Sequence, residues 1–376
     1  MTGSAQMRRS PLSQDEVDLI AFRHERLMNA EPGGCRAVFA NCDLRGLDLS
    51  RRCLVDVDFT AAMMDGVNLR GAKLDRSILH GSSLDEANLE RATLRRSDLR
   101  GVSLRNANLA HADLFEADLG QGEVPMSTGH RGGAAPGRTL ATQANLTGAN
   151  LTRAKLTGIS AGQANFTGAL LVQCKLARAM LDESCFDLAD LAGADLSDAT
   201  VRQASFRRAV LVGTWTQGWQ CSDALFEAVV ADLDAAADAD DLRDQLLDYA
   251  LWVDSGGDVG KVSTFAKADL RSLGSLQNLT LSALIAPGAI FYGLDLQGAQ
   301  LAGADLRGAD LRRTRLRGAD LRGCRLNDAL LDGADLQGCR MEPLVLAGGH
   351  ILSTDLRGAS LGHCAIEGVD FSKTLR

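Results

Sequence analysis

Residues 299 to 321 read Ala299-Gln-Leu-Ala-Gly, Ala304-Asp-Leu-Arg-Gly, Ala309-Asp-Leu-Arg-Arg, Thr314-Arg-Leu-Arg-Gly, Ala319-Asp-Leu321. The unit is five residues long. An amphipathic helix repeats its apolar residues at three and four, and a half-buried strand alternates, so a period of five fits neither and marks an internal repeat. In each block a large apolar residue is central and a small one (Ala, Cys, Thr, Ser) stands two places before it. Polar residues or Gly fill the other three places.

This pattern resembles the pentapeptide-repeat family. The resemblance implies an all-β solenoid, a right-handed quadrilateral β-helix in which four blocks make a twenty-residue coil with the central and small residues inside. The sequence tests that geometry. Phe166, Phe186, Phe206 and Phe226 are all central residues spaced by twenty, so a four-block coil stacks them as one aromatic ladder. Coils about 4.8 Å apart, the strand spacing, would also set outward residues twenty apart directly over one another, where like charges repel. The columns alternate instead: Asp295, Arg315, Asp335; Asp305, Arg325; Asp320, Arg340. A fourth column, Asp48, Asn68, Asn88, Asn108, reads as a mostly amide ladder.

Along the chain, residues 1–36 read as a tail and a capping helix. Ser13 with Glu16 forms a capping box, and Val17, Ile20, Ala21, His24, Leu27 and Met28 share one face until Pro32-Gly33-Gly34. A helix there would cover the apolar end of a coil. Residues 37–228 form a first array. Centres keep phase from Phe39 to Leu119 and from Leu146 to Phe226, and a Gly-, Pro- and Ser-rich insertion, 122–143, separates the two runs. It reads as a flexible corner loop of 22 residues. Residues 229–260 form an acidic linker and a second capping helix. Phe39-Ala-Asn-Cys-Asp-Leu-Arg then aligns with Phe265-Ala-Lys-Ala-Asp-Leu-Arg, each after a helix and a Gly-Gly pair. Residues 261–376 form the second of two tandem arrays, with a one-residue slip between Leu270 and Leu276 and twenty centres in phase from Leu276 to Phe371.

Of 376 residues, 45% are hydrophobic but only 4% aromatic, and 39 are Gly, so the core is made of Leu and Ala. Net charge is −8, and residues 229–258 alone carry nine Asp against one Arg; the walls are neutral in sum. No long apolar run or signal-like N-terminus is visible, so neither a membrane span nor secretion is expected, and the expected location is the cytoplasm. Cys42, Cys174, Cys324, Cys339 and Cys364 occupy the small inward place and read as reduced core atoms. No Cys or His pairs at ligand spacing, so no metal or other cofactor is expected. His24 on the inner helix face reads as a satisfied buried histidine rather than a ligand.

A filled β-helix offers no pocket for convergent catalytic groups, and the six histidines are scattered, so the chain is not read as an enzyme. Gly132-Gly-Ala-Ala-Pro-Gly-Arg138-Thr139 follows phosphate-loop spacing with Arg in place of Lys. No helix follows it, and Pro136 removes a backbone donor, so nucleotide binding is not expected. Candidate interaction residues are Glu123, His130, Arg131 and Arg138 on the insertion and Trp215 and Trp219 near the end of the first array, where Trp215 points outward and Trp219 falls on a small inward place that an indole is not expected to fit. Arg307, Arg312, Arg317, Arg322 and Arg357 form an arginine-rich rim in the second, with Arg317, Gln337 and Arg357 expected one above another. The plain reading is a rim balanced by its Asp neighbours, and a phosphate-binding ridge is the sharper one.

Solenoids present long rigid surfaces for binding. The first reading is a non-enzymatic protein-interaction scaffold with an unidentified protein partner and no direct nucleic-acid or membrane contact. The alternative comes from the resemblance to the quinolone-resistance pentapeptide proteins: a DNA mimic that modulates or protects DNA gyrase or topoisomerase. A homodimer through the last coil, Ile366 to Phe371, is a further expectation.

Overall fold

The repeat length follows from the turn. The amide of Cys42 donates to the carbonyl of Phe39 at 3.0 Å, and Asn41 between them has a φ of 63°. That is a type II turn, whose third residue needs positive φ. The bond recurs along both units from the small residue back to the preceding centre, as in Ala72 to Leu69 at 2.9 Å and Ala309 to Leu306 at 3.1 Å. Two turn residues plus three wall residues make five. Glycine so often ends a block, as at Gly71 and Gly308, because it adopts that φ without strain. Ala286-Pro287-Gly288 is the most favourable version, with Pro where φ is negative and Gly where it is positive (67°).

The computed structural model describes residues 11–121, 137–231, 239–346 and 348–376. The chain divides into two compact units, Met1–Asp232 and Leu233–Arg376. In the first, parallel bridges join outward residues twenty apart on four successive sides: Val38 with Asp58, Asp43 with Met63, Asp48 with Asn68, Cys53 with Lys73. The ladders run on to Val210 with Val230. Rings of Phe166, Phe186, Phe206 and Phe226 stack with centroids 4.7, 4.9 and 5.2 Å apart, the first three fully buried and Phe226 41% exposed at the end of the ladder. Those separations match the strand spacing, so the backbone sets the stack. Outside, the Asn68 amide donates to Asp48 at 3.0 Å, and the column continues through Asn88 and Asn108 to Asn145 and Asn165.

The insertion is shorter than its sequence suggests. Ser103 pairs with Leu140 and Asn108 with Asn145, so the coil resumes before Leu140 and Ala141, 1% exposed, is the first centre. Residues 139–143 therefore belong to the coil, and 17 residues, not 22, are extra. Alanine in a central place disguised the restart. Thr139 fills the preceding small place fully buried: its hydroxyl donates to Gly120 O at 3.0 Å and accepts from Gly101 N at 2.9 Å. That hydroxyl is unavailable to a nucleotide's magnesium.

Helix α1, Gln14–Met28, starts on the expected box: Ser13 N donates to Glu16 at 2.8 Å, and Ser13 Oγ accepts from Glu16 N at 3.3 Å. Val17, Ala21 and His24 are buried in the core of the first unit, whereas Leu27 and Met28 are each 39% exposed. The buried stripe is narrower than the sequence pattern. His24 Nε2 donates to Val55 O at 2.9 Å, and Nδ1 accepts from Ala37 N at 3.3 Å. Both nitrogens are used, and only the neutral ring satisfies both. Burial, foremost, lowers its pKa; nearby Arg36 adds to that, while the Val55 bond, Asp56 and Glu25 oppose it. A depressed folded pKa means stability is complete above the unfolded value of about 6.5 and declines as pH falls through it. The thermal midpoint should therefore drop between pH 7.5 and 5.5, and the drop should shrink in His24→Gln, as measured by circular dichroism.

In the second unit, helix α2, Ala239–Asp254, buries Leu246, Tyr249 and Ala250 among Phe265, Leu270 and Leu273. Tyr249 Oη donates to Ser282 O at 2.9 Å. Thr264 pairs with Ile285 and Asp269 with Ile290, both 21 apart, whereas Ser275 pairs with Asp295 at 20. The slip is absorbed by a single 3-10 turn, Arg271–Leu273. The charge columns Asp295–Arg315–Asp335, Asp305–Arg325 and Asp320–Arg340 all form.

Beyond Met341 the expected phase fails. Arg325 pairs with Asp355, Leu330 with Ser360 and Asp335 with Ala365, each thirty apart. The ten extra residues carry an antiparallel hairpin of β1, Leu344–Val345, and β2, Ile351–Leu352. Leu346 and Ile351 are therefore not centres; they are 42% and 64% exposed. Ten is a multiple of five, so periodicity cannot see the excursion. Pro343 could have shown it, because it falls where the turn needs positive φ, which a pyrrolidine ring forbids.

Candidate interaction surfaces

An arginine two residues after an aspartate lies on the same outward face of a strand. In Asp305-Leu-Arg307 the guanidinium grips the carboxylate with Nε–Oδ1 and Nη2–Oδ2 both at 2.7 Å. The same fork closes in Asp43-Leu-Arg45, Asp98-Leu-Arg100, Asp269-Leu-Arg271, Asp310-Leu-Arg312, Asp320-Leu-Arg322 and Asp355-Leu-Arg357. The tripeptide Asp241-Leu-Arg243 lies in α2 instead, and there Arg243 reaches Leu273 O at 3.1 Å. Bidentate pairs of this kind hold both partners ionised. The guanidinium forks, first of all, depress the carboxyls of Asp43, Asp305 and Asp355 below their usual range.

The arginine rim divides accordingly. Arg307, Arg322 and Arg357 are occupied by their own aspartates. Arg312 is 2% exposed and is no surface residue, a correction to its outward reading. Arg357 does not stack on Gln337, because the ten-residue hairpin moves it two sides along, to the opposite wall. It stands over Asn327, whose carboxyl-terminal neighbour Asp328 donates its amide to Arg357 O at 3.0 Å. Gln337 donates instead to Glu367 at 3.3 Å. Arg317 has no aspartate in its own block and reaches Asp335 at 3.3 Å and Gln337. It borders a shallow groove of about 550 Å³ with Tyr292, Gln297, Arg313 and Arg315.

Glu123, His130 and Arg131 lie outside the described residues. Arg138 lies along the wall with Nη1 3.1 Å from Met180 Sδ. Trp215 faces outward over Asp195 and is 69% exposed. Trp219 does fit its small inward place, contrary to expectation: its ring lies 6.1 Å from Phe206 and 5.7 Å from Phe226. The flanking centres, Thr216 and Cys221, are small where Leu is usual, and that volume admits the indole. Trp252 belongs to the core of the second unit, 6.0 Å from Tyr249.

The surface that the sequence did not disclose is the hairpin. Leu344 and Leu352 lie on the corner at Gly323, where a Cβ would come 2.9 and 3.0 Å from theirs. Val345 and Ile351, paired across the strands, are 66% and 64% exposed. Leu346 adds to the patch, and Arg340 and Glu342, 3.9 Å apart, flank it. Buried thiols are inert by comparison: burial raises Cys324, Cys339 and Cys364 to about 12. Among the described residues no group of three or more His, Cys, Asp or Glu could hold a metal ion, and no helix is long and apolar enough to cross a membrane.

The geometry defines a filled β-helix that presents walls rather than an enclosed site. The family model for pentapeptide repeats matches eight times, over residues 42–81, 53–91, 82–121, 138–160, 162–198, 184–215, 275–313 and 309–342. These cover more than half of the sequence, and the chain belongs to the pentapeptide-repeat family. No curated protein matches it. Among solved structures it is similar to HetL, a pentapeptide repeat protein involved in heterocyst differentiation regulation from the cyanobacterium Nostoc. Identity is 22%, covering 91% of this chain and 100% of that one, with a TM-score of 0.32. Rfr23 from the cyanobacterium Cyanothece is 25% identical over 35% of this chain and 91% of its own, with a TM-score of 0.30. QnrB1, a plasmid-mediated fluoroquinolone resistance protein, is 15% identical over 49% of this chain and 81% of its own, with a TM-score of 0.24.

Proposed function

We propose that this protein is a non-enzymatic, cytoplasmic protein-interaction scaffold. On this reading it is built as two tandem arrays, 37–228 and 261–376, each closed at its start by its helix. The observation that carries the proposal is the hairpin. A coil that could have continued from Met341 leaves its path for ten residues and sets Val345, Leu346 and Ile351 in solvent, on a wall whose charges are otherwise paired. Exposed aliphatic side chains ringed by polar ones are the usual anchors of a protein contact. Trp215 is a second such anchor on the first unit.

The gyrase-directed alternative asks for carboxylates facing solvent along the walls, as phosphates do along a duplex. Here seven Asp-Leu-Arg rows neutralise their own carboxylates, which favours the scaffold. Self-association through the last coil, where Ile366 is 48% exposed, remains part of the proposal. The test is affinity capture from extracts of the encoding organism with the unaltered chain and with Val345→Ser/Ile351→Ser. The hairpin variant should lose specific partners that the unaltered chain retains, and a supercoiling assay should show no effect on gyrase. Identical captures would sink the hairpin reading, and inhibition of gyrase would favour the alternative.

A further inference from the structure

Arg315-Leu-Arg317 is the one row in either unit where both outward places, before and after the centre, carry a cation. Elsewhere an arginine after the centre commonly finds an aspartate two places back and closes a fork at 2.5–2.9 Å. Here the aspartates come from neighbouring coils at longer range: Arg315 Nη1 to Asp295 at 3.5 Å, and Arg317 Nε to Asp335 at 3.3 Å. Both carboxylates have other donors. Asp295 accepts from Gln277 Nε2 at 2.6 Å and Gln297 N at 3.2 Å, and Asp335 from Gln337 N at 3.1 Å. Arg315 and Arg317 are 64% and 58% exposed. Together with Arg313, whose Nη1 lies 3.4 Å from Tyr292 Oη, they line the groove of about 550 Å³ with three guanidiniums against Asp335. Guanidinium forks match the oxygen spacing of a phosphate, and their bonds to an anionic oxygen reach full strength near 2.7–2.9 Å, closer than either carboxylate here; the one short partner of Arg317 is the neutral Gln337 amide oxygen.

We propose that this groove binds a phosphate dianion, free or as a small monoester, between Arg315 and Arg317, with the Tyr292 hydroxyl and Gln297 amide as neutral donors at its edge. The anion offers both guanidiniums the close pairing that their distant aspartates do not. Asp335 then acts as a competitor that keeps affinity modest. The site is separate from the hairpin and does not depend on its role.

Calorimetric titration of the full chain with inorganic phosphate, and separately with phenyl phosphate, at constant ionic strength set by chloride, tests this. Saturable binding is expected for at least one probe, and which one binds more tightly tells a free anion from a monoester. Arg315→Gln/Arg317→Gln should weaken it at least tenfold, Arg307→Gln, in its closed fork, should leave it unchanged, and Asp335→Asn should strengthen it severalfold. If the double variant folds poorly, the Asp335→Asn comparison still decides the matter. Absence of binding by either probe, equal binding by the double variant, or weaker binding by Asp335→Asn would overturn the proposal.

Discussion

Replacing Leu191 by aspartate should unfold the middle of the first unit, with a loss of thermal stability larger than that of any surface change. Leu191 is fully buried, and its amide donates to Val210 O at 2.9 Å, between coils on either side. The substitution removes roughly 1.5–3 kcal/mol of apolar burial. It also sets a carboxylate among side chains that are almost all Leu, Ala and Phe, at an effective cost of several kcal/mol for an unpaired buried charge. Together these are comparable with the whole stability of an ordinary domain, about 5–15 kcal/mol. Each coil of a solenoid touches only its neighbours, so the damage should be local first. Hydrogen exchange should report lost protection at Leu171 and Leu211 before the coils around Phe59. Leu191→Ala, without the charge, should cost roughly 2–5 kcal/mol. An unchanged melting curve for Leu191→Asp would contradict the filled-coil description outright.

What the sequence disclosed and what it hid have one cause. A type II turn every five residues forces the period, and a coil of four such turns forces side chains twenty apart into register. The ladder from Phe166 to Phe226 and the alternation of Asp295, Arg315 and Asp335 are therefore legible in the sequence itself. Departures that respect the period are not. Ala141 is a centre with a small residue's face, so the corner insertion read five residues too long. The hairpin spans two whole blocks, and its residues Leu346 and Ile351 mimic centres. Trp219 looked impossible only because the compensating small centres, Thr216 and Cys221, act from neighbouring blocks. The Asp-Leu-Arg forks were within reach, since residues two apart share a strand face. Arg312 was not, because its local sequence is that of Arg307 and Arg322, yet of the three it alone is buried.

Gly260 is the last such residue, and its replacement by alanine should have the second largest effect. Phe39 and Phe265 open equivalent rows, and each has a glycine five places before it, Gly34 and Gly260. Both lie against the backbone of the preceding helix. A Cβ on Gly34 would come 2.3 Å from Leu27 N, and one on Gly260 would come 2.1 Å from Asp248 O and 2.7 Å from Trp252 N. Backbone atoms cannot turn aside as a side chain can, so the connecting segment itself must move. Such overpacking costs roughly 1–3 kcal/mol. Gly260 also has a φ of +84°, which adds about 1–2 kcal/mol for an L-residue. The conspicuous pair Gly256-Gly257 only ends the helix, with Gly257 N donating to Trp252 O at 2.9 Å. Gly256→Ala, with a φ of +66° and nothing within 4 Å of the new methyl, provides the control for backbone strain alone. Gly260→Ala should release α2 from Phe265, seen as faster amide exchange at Leu246 and Tyr249 and a changed tryptophan emission from Trp252. Equal losses in the two variants would mean that close approach to the helix contributes nothing, and that the glycine serves its φ alone.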